Sequence, residues 1–458
     1  MKLFITKNIY STVSFILIVL FAFSSTFHFI NWGSQNHPFN NDVDQYYSYL
    51  INLANNHSLN FIPDNHQYWL IETPTQQYVP KVTYGMAFFY APFFIVAKLI
   101  SSSHSTGYEP AFAWCVHFGC MIYTLLGFWI IRKTLLIFFK DKVVALTLLT
   151  LFFATNLFYY TVSESLTVHG VLFFLLSIFI YNVIHWQQTL KRKNLFLFMF
   201  VAGFITLIRP SELIILLIPL LIGVYNIESF KVKVGIVFSN IKSILFSSLL
   251  FLLPVIPQLF FWKFKSGSFL FFSYGSNERF FWTDPQLWNV FFSFRKGLFI
   301  YTPVLVFFFI GFVFLYKKNK TIFYPLVVYF ILNIYLICCW WDWSYGGSFG
   351  MRALIHCYAL LAIPFAYFVS WMFYSINSYK IKMSIISFFM ICLVFFSIIN
   401  LFQSNLYKHR ILHFDGMTNQ AYKFTFLKGT YSPKELEELQ LMFSPPNYED
   451  RRNGKRDE

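Results

Sequence analysis

Long apolar runs separated by short polar loops are the dominant pattern of the chain. The first covers Ile9 to Ile30 and follows Lys2 and Lys7. No small-residue cleavage site follows it, so it reads as an uncleaved helix. Further runs lie near 111–131, 143–162, 170–186, 195–208, 211–225, 243–262, 299–316, 321–340, 353–373 and 383–402. Most approach the roughly 20 residues that a helix needs to cross a bilayer. The short pair at 195–208 and 211–225 is divided by Arg209 and Pro210. The stretch from Lys81 to Ile100 is also apolar, but Pro92 sits in its middle, and a proline breaks or kinks a helix interior. It reads as a broken amphipathic or re-entrant segment along the interface. The pattern predicts an all-α polytopic membrane protein with about eleven transmembrane helices. Residues 1–402 form one transmembrane domain, with 31–110 as a first loop that carries interfacial helices. Residues 403–458 form a polar tail with a short helix starting near Ser432 and Pro433. Its last dozen residues, "NYEDRRNGKRDE", read as disordered.

Composition agrees with a lipid environment. Hydrophobic residues make up 57% of the 458 and charged residues only 12%, against about 25% charged in soluble domains. The net charge of +15 does not form a nucleic-acid-binding stripe. The bases fall in loops: Arg132, Lys133, Lys140 and Lys142; Lys191, Arg192 and Lys193; Lys231, Lys233 and Lys242; Lys317, Lys318 and Lys320; Lys380 and Lys382. Positive loops face the cytoplasm, so the N-terminus is expected inside and the loop at 31–110 and the tail outside. If Lys81–Ile100 crossed, the Arg132 cluster would be placed outside. The six cysteines lie in or beside apolar runs and read as packing residues.

With this topology most acids fall at the outer edge: Asp42, Asp44, Asp64, Glu72, Glu109, Glu164, Glu212, Glu278, Asp284 and Asp342. Arg209, Arg279, Arg295, Lys296 and Arg352 share that edge. Charges beside apolar helix ends are costly and mark function. An acid that takes a proton and arginines that grip phosphate in two-pronged fashion suit chemistry on a phosphorylated lipid. Five stretches carry the candidates: "NDVDQYY" with Asp42, Asp44, Tyr46 and Tyr47; "ESLTVHG" with Glu164 and His169; "LIRPSELIILLIP" with Arg209; "FRKGLFIYTP" with Arg295 and Lys296; and "CWWDWSYGGSFGMRAL" with Trp343 and Arg352. Each has a plain alternative. Asp42 and Asp44 suit a solvated turn, tryptophans form interfacial belts, arginines snorkel, Glu164 caps a helix, and His169 is a hydrogen-bonded core residue. Five such stretches on one edge favour chemistry.

These motifs resemble the GT-C superfamily of membrane glycosyltransferases, in the bacterial group around protein O-mannosyltransferases and the aminoarabinose transferase of lipid A. An acidic pair followed by aromatics in the first outer loop carries the resemblance, with "KVTYGMAFFYAPFF", "IRPSELIILLIP", "GLFIYTP" and "WSYGGSFGMR". The family usually has adjacent acids, and this chain has Asp-Val-Asp. The resemblance implies transfer of a sugar from a polyprenyl-phosphate donor to a lipid, glycan or protein acceptor, outside a bacterial cytoplasmic membrane. It implies a first-loop aspartate as general base, with Asp42 placed ahead of Asp44 by its spacing from Tyr46. Arg209 and Arg352 are the first choice for the leaving phosphate, Arg295 and Lys296 the second. Tyr46, Tyr47, Glu164, His169 and Trp343 are further substrate contacts. Asp42 and Asp44 could together hold a divalent cation. The other classes are a lipid-linked sugar flippase or transporter, with ionisable residues lining a path at mid-membrane, and a non-enzymatic scaffold.

The topology is testable. In a chain stripped of native cysteines, a cysteine at Asp64 reacts with an impermeant reagent in intact cells. One at Lys193 reacts only after permeabilisation. The reverse pattern contradicts the assignment.

Overall fold

Prolines and polar side chains cut the apolar runs into the pieces that the fold uses. The structure, a computed structural model, describes residues 8–30, 38–63, 69–102, 104–275 and 277–456. Asp64, Lys2 and Lys7 lie outside the described residues. Six described helices are long and apolar enough to cross a bilayer: Ile9–Phe29, Pro110–Leu135, Val168–Thr189, Lys320–Cys339, Arg352–Tyr374 and Tyr379–Lys408. The protein is all-α and polytopic, with the remaining apolar runs built from shorter pieces. The run at 243–262 is Ile241–Leu252 and Ile256–Ser266 with Pro254 between them, and the run at 299–316 is Leu298–Tyr301 and Leu305–Lys318 with Pro303 between them. A proline lacks the N–H that would continue the ladder. The run at 143–162 breaks between Asp141–Phe153 and Leu157–Val162. There Asn156 accepts from the Tyr358 hydroxyl at 2.8 Å and donates to the Phe349 carbonyl at 3.1 Å.

Helix Pro110–Leu135 packs along Val168–Thr189, which packs along Arg192–Ile208, and Leu305–Lys318 packs along Tyr358–Tyr374. Arg352–Tyr374 is the central element and almost wholly buried, whereas Ile9–Phe29 and Tyr379–Lys408 are peripheral. Leu20, Phe27, Phe388 and Ile391 on the peripheral helices are exposed, as lipid-facing residues are. A bundle of apolar helices with an apolar exterior is an integral membrane protein.

Two local expectations are corrected, and a small hairpin is added to the first loop. Gly85–Ile100 is one helix running through Pro92 without a break. Its packing offsets the lost hydrogen bond: the Phe93 ring lies where a side chain on Gly119 would be. A small antiparallel hairpin pairs Leu70–Glu72 with Tyr78–Pro80 in the first loop, Ile71 opposite Val79. The β-prone Leu70, Ile71, Tyr78 and Val79 flank its turn. Residues 447–456 of the tail are ordered, with a short helix at Tyr448–Arg452 and buried Arg451 and Arg456. The charges of Arg451 and Arg456 are matched by Asp342 and Asp284 of other loops. The Ser432 expectation holds: Pro433–Leu441 is a helix with a capping box between Ser432 and Glu435.

Gly311 tests the close packing. A Cβ there would lie 2.2 Å from the Pro364 carbonyl oxygen, whereas one on Gly235 would meet nothing within 4 Å. Overpacking costs about 1–3 kcal/mol. Gly311→Ala is expected to lower the melting temperature in detergent, and Gly235→Ala to leave it level or raise it. Equal melting temperatures would contradict the crossing.

Candidate active site

Three chain breaks converge at one end of the bundle. Helix Arg192–Ile208 stops at Arg209, which is extended (φ −139°, ψ 95°), as expected of a residue before proline. A 3₁₀ turn, Pro210–Leu216, follows. Helix Lys320–Cys339 ends before a loop that leads into a second 3₁₀ turn, Arg352–Cys357. The loop turns at Tyr345, Gly346 and Gly350, all with positive φ. Asp342 organises it, accepting from the Ser344 hydroxyl and the Gly346 amide, both at 2.7 Å. The third break is the first loop, where Asn41–Asn56 forms a helix with Asp42 and Asp44 in its first turn. A helix N-terminus favours acids, so this stretch is not the solvated turn its composition allows.

Asp42 and Arg352 meet here. Arg352 Nη2 lies 2.9 Å from Asp42 Oδ2, and the Asp42 side chain is 49% exposed. Arg352 Nε donates to the Tyr345 carbonyl at 2.9 Å. Arg209 Nη1 donates to the Ala353 carbonyl at 2.9 Å, with its guanidinium 5.5 Å from the Tyr345 ring centre. The two arginines and Asp42 thus share one corner. Asp44 accepts from the Tyr108 hydroxyl at 3.1 Å. Residues two apart on a helix point about 200° apart, so the two carboxylates do not converge. They do not fit a cation shared between them.

Tyrosines and polar groups surround the pair. Burial, then Tyr274 and Asp42, hold the Tyr46 hydroxyl well above its ordinary value, against Arg352 and Arg209. Burial pushes Tyr274 up to about 12. Both therefore stay neutral donors at physiological pH. Burial also pushes the Glu164 carboxyl up to about 7, with Arg352 and Lys296 pulling the other way. His169 is buried, edge-on to Tyr160 at 5.1 Å and 6.5 Å from the His356 ring.

Sequence reasoning assigned no role to Glu212 or His356. Glu212 is buried; its Oε1 lies 2.8 Å from His356 Nε2 and accepts from Asn333 at 2.7 Å, and its Oε2 accepts from Tyr329 at 2.6 Å. The pair ties the turn after Arg209 to the turn that starts at Arg352. Glu212, His356 and Cys357 bring ligand atoms within 4.8 Å of one another. Three donors already occupy the carboxylate, so the cluster is explained as a hydrogen-bonded tie. An acid within an apolar run was the available signal for Glu212.

Other candidates lie elsewhere. Lys296 is buried and donates to the Ser348 and Phe414 carbonyls, and burial pulls its amine down to about 7. Arg295 is buried and donates to the Asp415 carbonyl and, at 2.9 Å, to the Ser444 carbonyl. Trp343 is fully buried and donates to the Arg456 carbonyl at 3.2 Å. Tyr47 stacks on Phe39 at 3.8 Å and donates to the Gly107 carbonyl at 2.6 Å. These four hold the frame around the site.

No protein-family model matches the chain, and no curated protein does. Among solved structures, the apo-form oligosaccharyltransferase of Archaeoglobus fulgidus superposes with a TM-score of 0.53 at 12% identity, over 97% of this chain and 61% of that one. The archaeal oligosaccharyltransferase AglB from Archaeoglobus fulgidus, in complex with an inhibitory peptide and a dolichol-phosphate, gives 0.49 at 10% identity, over 95% and 60%. The chain therefore spans about 60% of the length of these proteins. Identity this low speaks to the fold and not to the activity. The chain shares the membrane fold of the Archaeoglobus fulgidus oligosaccharyltransferase.

Proposed function

We propose that the chain is a glycosyltransferase that moves a sugar from a polyprenyl-phosphate donor to a hydroxyl acceptor. The observation that carries this is Arg352 held against a half-exposed Asp42, with Arg209 beside it, at one end of a GT-C fold. By the positive-inside rule, that end is read as the extracytoplasmic side of a cytoplasmic membrane. The donor phosphate displaces Asp42 from Arg352, because a guanidinium grips two phosphate oxygens at once. Asp42 is then free to accept the acceptor's hydroxyl proton. The acceptor oxygen bonds to the anomeric carbon from the face opposite the phosphate, through an oxocarbenium-like transition state. The bond from that carbon to the phosphate oxygen breaks, and its electron pair leaves with the polyprenyl phosphate. Arg352 and Arg209 are already placed against the developing charge, which is a large source of catalysis. Neutral Tyr46 and Tyr274 donate hydrogen bonds to sugar or phosphate oxygens. The arginines sit at helix ends, which favours this reading over a transporter with charges spread along a path.

Asp42→Asn is expected to lower the transfer rate by about 10² to 10⁴, the usual worth of a general base. Asp44→Asn should cost far less, because that carboxylate serves Tyr108. Equal effects in single-turnover assays would contradict the assignment. For the phosphate, Arg352→Lys should raise the donor KM and Arg352→Ala raise it further, since lysine keeps the charge but loses the two-pronged grip. Normal kinetics in both would leave Arg352 as a snorkelling anchor.

Glu164 yields a pH test. Its carboxyl holds a proton up to about 7 in the folded chain, against an ordinary 4.5. The folded state thus binds more protons between these values, and this group's contribution to stability falls as pH rises through that window. Relative to Glu164→Gln, the wild-type melting temperature should drop from pH 4.5 to 7. Parallel curves would show that Glu164 titrates normally.

A further inference from the structure

The tail segment Asn447–Arg456 lies against the loops beside the site, and its contacts form a route to Arg352. Arg451 is buried and donates to Asp342 Oδ1 and to the Ser344 hydroxyl, both at 2.7 Å. The other Asp342 oxygen accepts from the Gly346 amide, and the neighbouring Tyr345 carbonyl accepts from Arg352 Nε. Four steps thus lead from the tail to the guanidinium that meets Asp42. At the other end of the segment, Arg456 Nη1 donates to the Cys338, Cys339 and Trp340 carbonyls at 3.1 to 3.4 Å. Those carbonyls lie at a helix C-terminus, without partners in the helix itself; the Phe281 and Gln286 amides also donate to those of Cys339 and Cys338. Arg456 Nη2 also pairs with Asp284 at 2.8 Å. Between them, Arg452 pairs with Glu278 at 3.4 Å and lies over the Trp341 ring. The segment therefore grips the start of the Arg352 loop through Arg456 and its middle through Arg451.

We propose that this segment is a latch that positions Arg352, with Arg451 acting through Asp342 as the positioning residue. Without Arg451, Asp342 is a buried carboxylate whose charge lacks its partner, and the turn that presents the Tyr345 carbonyl to Arg352 loses its brace. Such a partner cannot be replaced by water at a site this closed. Arg451 touches neither Asp42 nor Arg352, so it adds nothing to the chemistry except geometry. The proposal deepens the glycosyltransferase reading, in which Arg352 is the phosphate ligand.

The test compares wild type, Arg451→Ala, Arg451→Lys and a chain ending at Pro446. Hydrogen exchange reads the latch whatever Arg352 binds. In Arg451→Ala and in the truncated chain, amides of Ser344 to Arg352 should exchange roughly a hundredfold faster, the scale of losing one partner of a buried pair. Amides of Val168–Thr189 should keep their wild-type rates. Adding a synthetic peptide of residues 445–458 to the truncated chain should restore protection, and the same peptide carrying Arg451→Ala should not. In donor titrations with a polyprenyl-phosphate sugar, Arg451→Ala should raise KM more than it lowers kcat, and Arg451→Lys should recover part of the loss. Unchanged exchange in the loop overturns the latch. Faster exchange with an unchanged donor KM overturns the positioning role. Failure of the wild type to use any polyprenyl-phosphate donor would count against the glycosyltransferase reading, and the exchange result would still decide the latch.

Discussion

Arg352 and Asp42 meet 2.9 Å apart at one end of the bundle. Holding a guanidinium there is expensive, because Arg352 gives up most of its water beside an apolar medium. Much of the nearby architecture keeps that geometry. Pro210 ends one helix so that Arg209 can reach the Ala353 carbonyl. Glu212 and His356 tie together the two 3₁₀ turns that follow the arginines. On the other side, Asp44 and Tyr47 anchor the helix of Asp42 through Tyr108 and the Gly107 carbonyl. Lys296 fastens the Arg352 loop by its Ser348 carbonyl. These ties come from four separate stretches of chain, so the site is over-determined before any ligand arrives.

That frame suggests an order of events for the proposed reaction. While Asp42 is paired with Arg352, the guanidinium occupies the carboxylate oxygen that would meet the acceptor hydroxyl. A lipid phosphate that takes over the guanidinium would release the base only once the donor is seated. Premature reaction with water would be limited by the same contact that binds the donor. Glu164, whose proton is lost near pH 7, adds a charge that can change within the physiological range beside this pair.

Periodicity and local chemistry were legible in the chain because they act over a few residues. Apolar runs marked the helices, Arg209-Pro210 marked a break, and Ser432-Pro433 marked a cap. Asp42, Arg209 and Arg352 were legible as candidates because a charge next to an apolar run is costly wherever it folds. What could not be read depends on partners far away in sequence. Arg295 and Lys296 look like phosphate ligands until the carbonyls of Asp415, Ser444, Ser348 and Phe414 take them up. Trp343 looks like a sugar platform until the Arg456 carbonyl accepts its N–H. The final residues look unstructured because the partners of Arg451 and Arg456 lie far away in sequence: Asp342 and Asp284, across more than a hundred residues. Pro92 kept its helix for a similar reason, since Gly119 leaves room for Phe93 against that helix.

The central claim is that the Asp42–Arg352 corner receives a lipid phosphate. The most direct measurement is a structure of the full chain bound to a short-chain polyprenyl phosphate. The account predicts phosphate oxygens within hydrogen-bond distance of the Arg352 guanidinium, Arg209 close by, and Asp42 released from Arg352 and open to solvent. Phosphate bound elsewhere, with the Asp42–Arg352 pair intact, would contradict it.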